Sequence, residues 1–410
     1  MSGVLGIVSE YNPFHNGHIL HLKKSLELTK ADFTVAIMSG NFTQRGDTSI
    51  VDKWAKTEMA LKQGIDLVIE LPTIYAISSA ENFASGAIKI LNSLGIIDYL
   101  SFGSEIGEIK PLDDVATILA KEPRDFSEIL KRQLRSGLSY PKAREIAMQM
   151  YFGSSPIYTE VLQNPNNILG VEYLKALKRT KSNITPITIK RNYNNYNSQD
   201  VKNGIASATA IRTMISKSKN IHTVVPYETY EVIERLSNEG KIVTSLKVFE
   251  KEIIYNLRRM TITEIANLPD VTEGLENKIK QAALATNTLE TLIEKIKSKR
   301  FTQTRIQRIL LYSLLNITKK DMLMSQKVTP YVRVLGFNKH GKRIISAIAE
   351  NNPKIKIVVS VKKFLDDNRD MNLQNMMMKD ILSTNIYTLA YKSNPQGNLD
   401  YTHKVLEIKS

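Results

Sequence analysis

The chain of 410 residues contains no cysteine. That absence excludes a disulfide framework, a thiolate metal site and a cysteine nucleophile together. It fits a reducing compartment, and a cytoplasmic location is expected. No run of about 18 consecutive apolar residues occurs, so neither a membrane span nor a membrane partner is expected. No basic stretch leading into an apolar core opens the sequence, which argues against a signal peptide. Internal repeats and low-complexity tails are also missing. What remains is ordinary in bulk: 42% hydrophobic and 24% charged residues are the proportions of a globular protein. The length allows two or three domains with a sizeable core.

Acidic residues are scarce relative to basic ones, and unevenly so. The net charge is +15. Residues 1–120 carry nine Lys/Arg against fourteen Asp/Glu, whereas residues 121–410 carry 47 against 27. A mildly acidic part joined to a strongly basic one suggests chemistry in the first and a polyanion partner for the second. Lys-rich helices with solvated faces are the plainer account. One basic cluster stands out, Lys295, Lys297, Lys299 and Arg300 with Arg305 and Arg308 soon after.

The first hundred residues alternate apolar runs with amphipathic segments. Strands are expected at Val4 to Ser9, Phe33 to Met38, Asp66 to Leu71 and Tyr99 to Phe102. Helices are expected from about Gly17 to Thr29, Asp52 to Gln63 and Ala80 to Leu94. Continuous apolar strands separated by helices predict an α/β fold, a Rossmann-like parallel sheet covered on both faces. Ligands of such sheets sit beyond the carboxyl ends of the strands. The informative loops are therefore those after Ser9, Met38, Leu71 and Phe102. Residues 111–152 read as helical, a further helix follows Asn167, Thr185 to Lys190 reads as a returning strand, and another helix begins near Thr209. Residues 191–206, rich in Asn and Tyr, read as a loop. We place a first domain at 1–220. A basic, mostly helical region at 221–410 follows, ending in a small α/β part with strands at Tyr331 to Leu335 and Ile355 to Val361.

The chemistry concentrates between the first strand and the first helix, in Glu10-Tyr11-Asn12-Pro13-Phe14-His15-Asn16-Gly17-His18. His15 and His18 are three apart and can point the same way at a helix start. Gly17 leaves room for a phosphate to approach the backbone. The helix N-terminus offers free N–H groups and the positive end of a dipole, a ready anion site. Two imidazoles added there supply donors for charge that develops on a phosphorus under attack. A metal site competes, because His21 brings three of the six histidines within seven residues. However, imidazoles at i, i+3, i+6 spread around a helix, and no carboxylate has zincin spacing. A structural role, capping or packing, is the third account.

His15-Asn16-Gly17-His18 resembles the HIGH motif of the nucleotidyltransferase superfamily and of class I aminoacyl-tRNA synthetases. The longer string Glu10 to His18, with Gly40 to Gly46 (GNFTQRG), Asp52-Lys53-Trp54, Asp66 to Pro72, Ser101 to Glu105 and Asn166 to Gly170, resembles the tRNA(Met) cytidine acetate ligase family across most of the chain. The resemblance implies a two-step reaction. Acetate attacks the α-phosphate of ATP, giving acetyl-adenylate and pyrophosphate. The wobble cytidine N4 of elongator tRNA(Met) then takes the acetyl group. It implies that Ile7, Val8, Ser9, Glu10, Tyr11, Asn12, Pro13, Phe14, His15, Asn16, Gly17, His18, Ile19 and Leu20 wrap the ATP, with His15 and His18 catalytic. Gly103, Asn167 and Arg191 join them in binding nucleotide. The plainer accounts are a strand-end turn for Gly103, an N-cap for Asn167 and a surface position for Arg191. Ser207-Ala208-Thr209-Ala210-Ile211-Arg212 resembles the second phosphate-binding signature of nucleotidyltransferases, with Ser207, Thr209 and Arg212 as phosphate contacts; a plain helix cap competes. Lys53 is a further candidate phosphate contact or a surface residue. Mg²⁺ is expected to arrive with ATP, without a protein carboxylate cage and with no metal ligands assigned. Two other functions stay open. One is a small-molecule nucleotidyltransferase, which would not need so basic a region. The other is a non-catalytic RNA-binding protein with a relic nucleotide site, which would have no reason to keep both imidazoles.

Overall fold

The structure, a computed structural model, describes residues 3–153, 155–191, 204–272 and 274–409. Most of the expected 191–206 loop, residues 192–203, lies outside the described residues. The strands are β1 (Val4–Ser9), β2 (Phe33–Ser39), β3 (Leu67–Leu71), β4 (Tyr99–Ser104), β5 (Thr185–Lys190), β6 (Val332–Phe337), β7 (Ile357–Val358) and β8 (Leu406–Glu407). They form one sheet in the order β5-β4-β1-β2-β3-β6-β7, with β8 also pairing with β6. From β5 to β3 all pairs are parallel. β2 and β3 are buried at every position, which is why both read as mostly apolar runs, with Thr34, Ser39 and Glu70 as the buried polar exceptions.

Helices cover both faces. The helix α1 (Asn16–Thr29) follows β1 and lies against β1, β4 and β5, and α2 (Lys53–Lys62) lies against β3 and β6. On this side Leu5, Ile7, Ala36, Met38 and Val68 share a core with Leu22, Met59 and Leu61. On the other side Val35, Ile37, Leu67 and Ile69 pack with Ala87, Ile88 and Leu91 of the helix Ala80–Leu94. The chain leaves β1 toward β2 on one side and returns as β4 on the other. That reversal opens a crevice beyond the carboxyl ends of β1 and β4, the place where such sheets bind ligands.

The elements expected in the first 190 residues are all present. Residues 111–152 form the helices Ile109–Lys121, Arg124–Arg135 and Tyr140–Tyr151. The strand expected at Ile355 to Val361 shortens to β7, because Ser360 caps a helix at Val361–Asp367. The sheet is not confined to residues 1–220. β6 pairs antiparallel with β3, and the pairing is fastened by buried charge. Lys53 Nζ lies 3.0 Å from Glu70 Oε1 and 2.7 Å from Asp400 Oδ1. Arg333 Nη1 lies 3.1 Å from Glu70 Oε2, and its Nη2 meets Asp400. Two cations and two carboxylates thus neutralise one another where the amino-terminal strands meet the returning chain. Asp380 sits beside them, accepting from Thr73 N–H at 2.7 Å and from the Tyr331 hydroxyl. Burial, with Glu70 nearby, pushes its carboxyl up to about 7.

Candidate active site

Residues 10–15 connect β1 to α1, and the neighbouring loops fix their course. Asn12 Oδ1 accepts from Ile50 N–H at 2.7 Å, and its Nδ2 donates to Thr48 O at 3.2 Å. Glu10 Oε1 accepts from Gln44 N–H at 2.7 Å. Tyr11 takes a positive φ of 45°, which turns its ring onto Phe14 at 4.7 Å and edge-on to His18 at 4.9 Å. An apolar wall therefore holds one side of the His18 ring.

His15 is the N-cap of α1, and His18 is its third residue. His15 Nδ1 accepts from Gly17 N–H at 3.1 Å, and His18 Nδ1 accepts from His15 N–H at 3.2 Å. The two rings stack with centroids 3.8 Å apart. An Nδ1 that accepts cannot carry the proton of a neutral ring, so each proton sits on Nε2. Both Nε2–H groups are then donors facing away from the helix backbone. Burial holds His15 down to about 3, helped by the Arg191 and Arg212 cations. Burial, the His15 ring and Arg191 likewise hold His18 well below the usual histidine value. The pair is thus two neutral donors at pH 7.

The backbone does not play the part expected of it. Asn16 N–H donates to Val224 O, Gly17 N–H to His15 Nδ1, and His18 and Ile19 N–H to His15 O. The first-turn donors of α1 all have acceptors, so an anion here meets ring nitrogens and guanidinium groups rather than free peptide N–H groups. Asn16 has a role the sequence did not disclose. Its Nδ2 donates to Gly204 O at 2.8 Å and Thr223 O at 3.1 Å, tying the head of α1 to the chain on either side of the helix Ala208–Ser216.

Two arginines flank the imidazoles. Arg191 directly follows β5, and its positive charge depresses His15, His18 and His21. It reaches them across Gly103: a Cβ added there would stand 3.2 Å from Arg191 Cγ and Cδ. Ser101 and Gly103 have the same parity on β4, and Ser101 faces α1 through Ser25 and His21. The missing side chain at Gly103 is therefore missing on the α1 side. Arg212 arrives from the helix Ala208–Ser216. Its Nη1 donates to Asn12 O at 2.9 Å and its Nη2 to Thr209 Oγ1 at 3.2 Å. Gly103, Arg191 and Arg212 thus converge with His15 and His18 on the crevice.

Other candidates are placed differently. Lys53 does not face the crevice: it is wholly buried in the Glu70–Asp400 cluster, and two carboxylates take up its charge. Asn167 is neither an exposed ligand group nor the N-cap. It lies in the first turn of the helix Pro165–Arg179 and is fully buried. Its Oδ1 accepts from Glu105 and Ile106 N–H at 2.8 and 3.2 Å, while Glu105 accepts from Asn166 and Asn167 N–H in return. This clasp shapes the loop after β4, and Arg191 Nη1 touches it at Asn166 Oδ1. Ser207 is a helix cap, its Oγ accepting from Ala210 N–H at 3.1 Å. His21 Nε2 bonds Ser101 Oγ at 3.0 Å, so it fastens α1 to β4. Among the described residues no group of three or more His, Asp or Glu gathers to hold a metal ion.

The sequence reading missed Lys56. It is fully buried, and its Nζ donates to Glu10 O at 3.0 Å, Ser39 O at 2.7 Å, Gly40 O at 2.6 Å and Ser49 Oγ at 3.0 Å. One ammonium therefore joins the loops after β1 and β2. A lysine three residues after Lys53 on an amphipathic helix carries no sequence signal of this role.

Stacked imidazoles at the head of the first helix, set at the reversal point of a parallel sheet, define a HIGH-type nucleotidyl transferase, and residues 2–401 match the HIGH Nucleotidyl Transferase family. Within that class the chain belongs to the tRNA(Met) cytidine acetate ligase family. It is 45% identical over 99% of its length to the tRNA(Met) cytidine acetate ligase of Thermoanaerobacter sp. (strain X514), all of which is covered. It is 46% identical over 98% of its length to that of Caldanaerobacter subterraneus subsp. tengcongensis, 99% covered. Thermotoga maritima TmcAL, 33% identical with both chains fully covered, superposes with a TM-score of 0.95 in its apo form and 0.93 when bound with alpha-thio ATP. No helix among the described residues is long and apolar enough to cross a membrane.

Proposed function

We propose that this chain is an ATP-dependent ligase that activates acetate as acetyl-adenylate and transfers the acetyl group to N4 of the wobble cytidine of elongator tRNA(Met). The observation that carries the reading is the pair of neutral imidazoles whose Nδ1 atoms are locked into the helix cap, leaving two Nε2–H donors between Arg191 and Arg212. The triphosphate lies across the head of α1, wrapped by residues 7–20, with Gly103 and Arg191 beside it. Arg212, with Ser207 and Thr209 on the same turn, reaches the phosphates; the clasped Asn167 acts through the shape of the post-β4 loop.

In the first step a carboxylate oxygen of acetate attacks the α-phosphorus, and the bond to the pyrophosphate oxygen breaks. Acetate is already an anion at neutral pH, so no general base is required. The step needs alignment and donors that meet the growing negative charge. Neutral Nε2–H groups and two guanidiniums supply these, and none has to lose a proton. In the second step the cytidine N4 attacks the acetyl carbonyl, AMP leaves as the anion and N4 gives up a proton. The basic excess beyond residue 120 suits a tRNA partner.

The test uses purified protein with ATP, acetate and labelled pyrophosphate. Acetate-dependent exchange of pyrophosphate into ATP is expected without tRNA, and acetyl transfer only when tRNA(Met) carries cytidine at the wobble position. Nucleotide incorporated into a small molecule, with no acetylated cytidine, would overturn the proposal.

A further inference from the structure

The basic cluster at residues 295–308 is resolved by the structure into two parts. Arg305 donates to Asp270 O and Thr272 Oγ1, and Arg308 pairs with the Asp270 carboxylate at 3.0 Å. These two arginines fold the helical region and are spent. Lys295, Lys297 and Lys299 are exposed, and among the described residues none of them pairs with a carboxylate. They lie at the end of the helix Leu289–Ile296 and on the turn leading into the helix Gln303–Leu314. Glu290 and Glu294 stand earlier on the first of these helices.

The helix Gln303–Leu314 is docked on the active edge of the sheet at two points. Gly46, at a φ of +78°, lies so close that a Cβ there would stand 2.5 Å from Arg308 N and 2.6 Å from the Gln307 carbonyl carbon. Tyr312 OH donates to Ile77 O at 3.0 Å. Gly46 belongs to the loop after β2, whose Gln44 is held by Glu10; Ile77 belongs to the chain after β3. The other flank of the β2 loop is held by Leu246, whose N–H donates to Asp47 Oδ1 at 2.6 Å. The next residue, Lys247, is also exposed and unpaired among the described residues. Exposed lysines without a carboxylate partner among the described residues therefore stand beside Leu246 and on the turn that leads into the helix Gln303–Leu314, next to the two segments that grip the loop beside the nucleotide crevice.

We propose that Lys247, Lys295, Lys297 and Lys299 form the surface that holds the sugar-phosphate backbone of the RNA substrate while its reactive base enters the crevice. The partner's chemistry is set by the surface: ammonium groups without carboxylate partners suit a chain of phosphates, and counterion release makes such contacts salt-dependent. The inference rests on the function proposed above for its substrate, but its test does not require turnover.

The quadruple variant K247Q/K295Q/K297Q/K299Q is compared with K131Q/R132Q/R135Q. The latter removes three exposed cations from the second half of the helix Arg124–Arg135. Affinity for tRNA(Met) is measured from 50 to 300 mM salt alongside tRNA-independent pyrophosphate exchange. The quadruple variant is expected to bind tRNA at least tenfold more weakly near 150 mM salt. Its plot of log affinity against log salt should flatten by about 0.7–0.9 per lysine that meets a phosphate, with exchange retained. The triple variant is expected to bind as the parent does. Unchanged affinity and slope in the quadruple variant, or losses confined to the triple variant, would overturn the proposal. Absence of exchange in the parent protein would count against the function, whereas the surface stands or falls on the slopes.

Discussion

The proposed function gives His15 two separable tasks, and one substitution can divide them. Its Nδ1 caps α1 by accepting from Gly17 N–H, and its Nε2–H faces the crevice. Asn at an N-cap offers a carbonyl oxygen in the place of Nδ1 and is among the best residues there. His15→Asn should therefore keep the cap and lose the donor. Removing one donor from developing negative charge costs about 10²–10³ in kcat, roughly 2.7–4 kcal/mol. Losing the cap costs about 1 kcal/mol, no more than roughly 2–4 °C in melting temperature for a chain of this size. His15→Asn is accordingly expected to melt within a degree or two of the parent while its acetate-dependent pyrophosphate exchange falls at least a hundredfold in kcat. His15→Ala should show the same kinetic loss and the lower melting temperature as well. Exchange and thermal unfolding are measured on the same preparations at saturating ATP. Full exchange by the Asn variant would refute the donor role. An Asn variant as destabilised as the Ala variant would refute the cap.

The remaining predictions concern charge and space around the crevice. Because burial holds His15 to about 3, His21 to about 4 and His18 well below its ordinary 6.5, the unfolded chain binds more protons below pH 6.5. Stability should therefore be fully present above pH 6.5 and fall as the pH drops toward 3–4, and His21→Gln should make the melting temperature less steep between pH 7 and 5. For the same reason kcat/KM for exchange, which reports the free enzyme, should show no inflection near 6.5; a rise with an apparent value of 6–7 that disappears in His18→Gln would contradict a neutral pair. Gly103→Val puts a branched side chain where Arg191 crosses β4; losing one charge-assisted contact is worth about 1.5–3 kcal/mol, so the ATP KM should rise roughly 10- to 100-fold while His15→Asn chiefly lowers kcat. Lys53→Met leaves Glu70 and Asp400 with one cation between them; breaking a buried ion pair costs about 3–5 kcal/mol, which denaturant unfolding will register, whereas exchange per folded molecule should hold.

The parallel half of the fold was legible because it is periodic. β2 and β3 are covered on both faces, so every residue had to be apolar or satisfied, and runs such as Phe33 to Met38 announce themselves. The HxGH spacing gave the crevice for a similar reason, since helix geometry is local. What the sequence concealed is set by partners far along the chain. Lys53 and Lys56 both sit on α2, and only Asp400 from the end of the chain and the carbonyls after β1 and β2 reveal that both ammoniums are buried. Asn167 looked like a helix cap because its type is common there; the clasp with Glu105 depends on a loop about sixty residues earlier. The fusion of β6 to β3 was hidden too, because Val332–Phe337 is a short strand whose antiparallel partner lies more than 250 residues upstream.

The histidine pair also explains its own spacing. In an ordinary capping box a Ser or Thr at the N-cap and a Glu or Gln three residues later each accept a backbone N–H from the other end of the turn. His15 and His18 occupy those two positions with Nδ1 in place of oxygen: His18 Nδ1 accepts from His15 N–H as in the box, while His15 Nδ1 accepts from Gly17 N–H, one residue short of N3. A carboxylate or hydroxyl in either place would cap the helix equally well. Only a ring offers a second nitrogen on its far side, and the cap bond itself decides that this nitrogen carries the proton. The motif therefore requires N-cap and N3 rather than merely two nearby histidines, and Gly17 between them contributes the N–H that fixes the first tautomer. His21, one turn further along, has no cap bond to make and is held by Ser101. It shares the residue type and the burial of the other two but its Nε2 is taken up by Ser101, so under the proposed function the capped pair and the two arginines are the groups left to meet charge at the crevice.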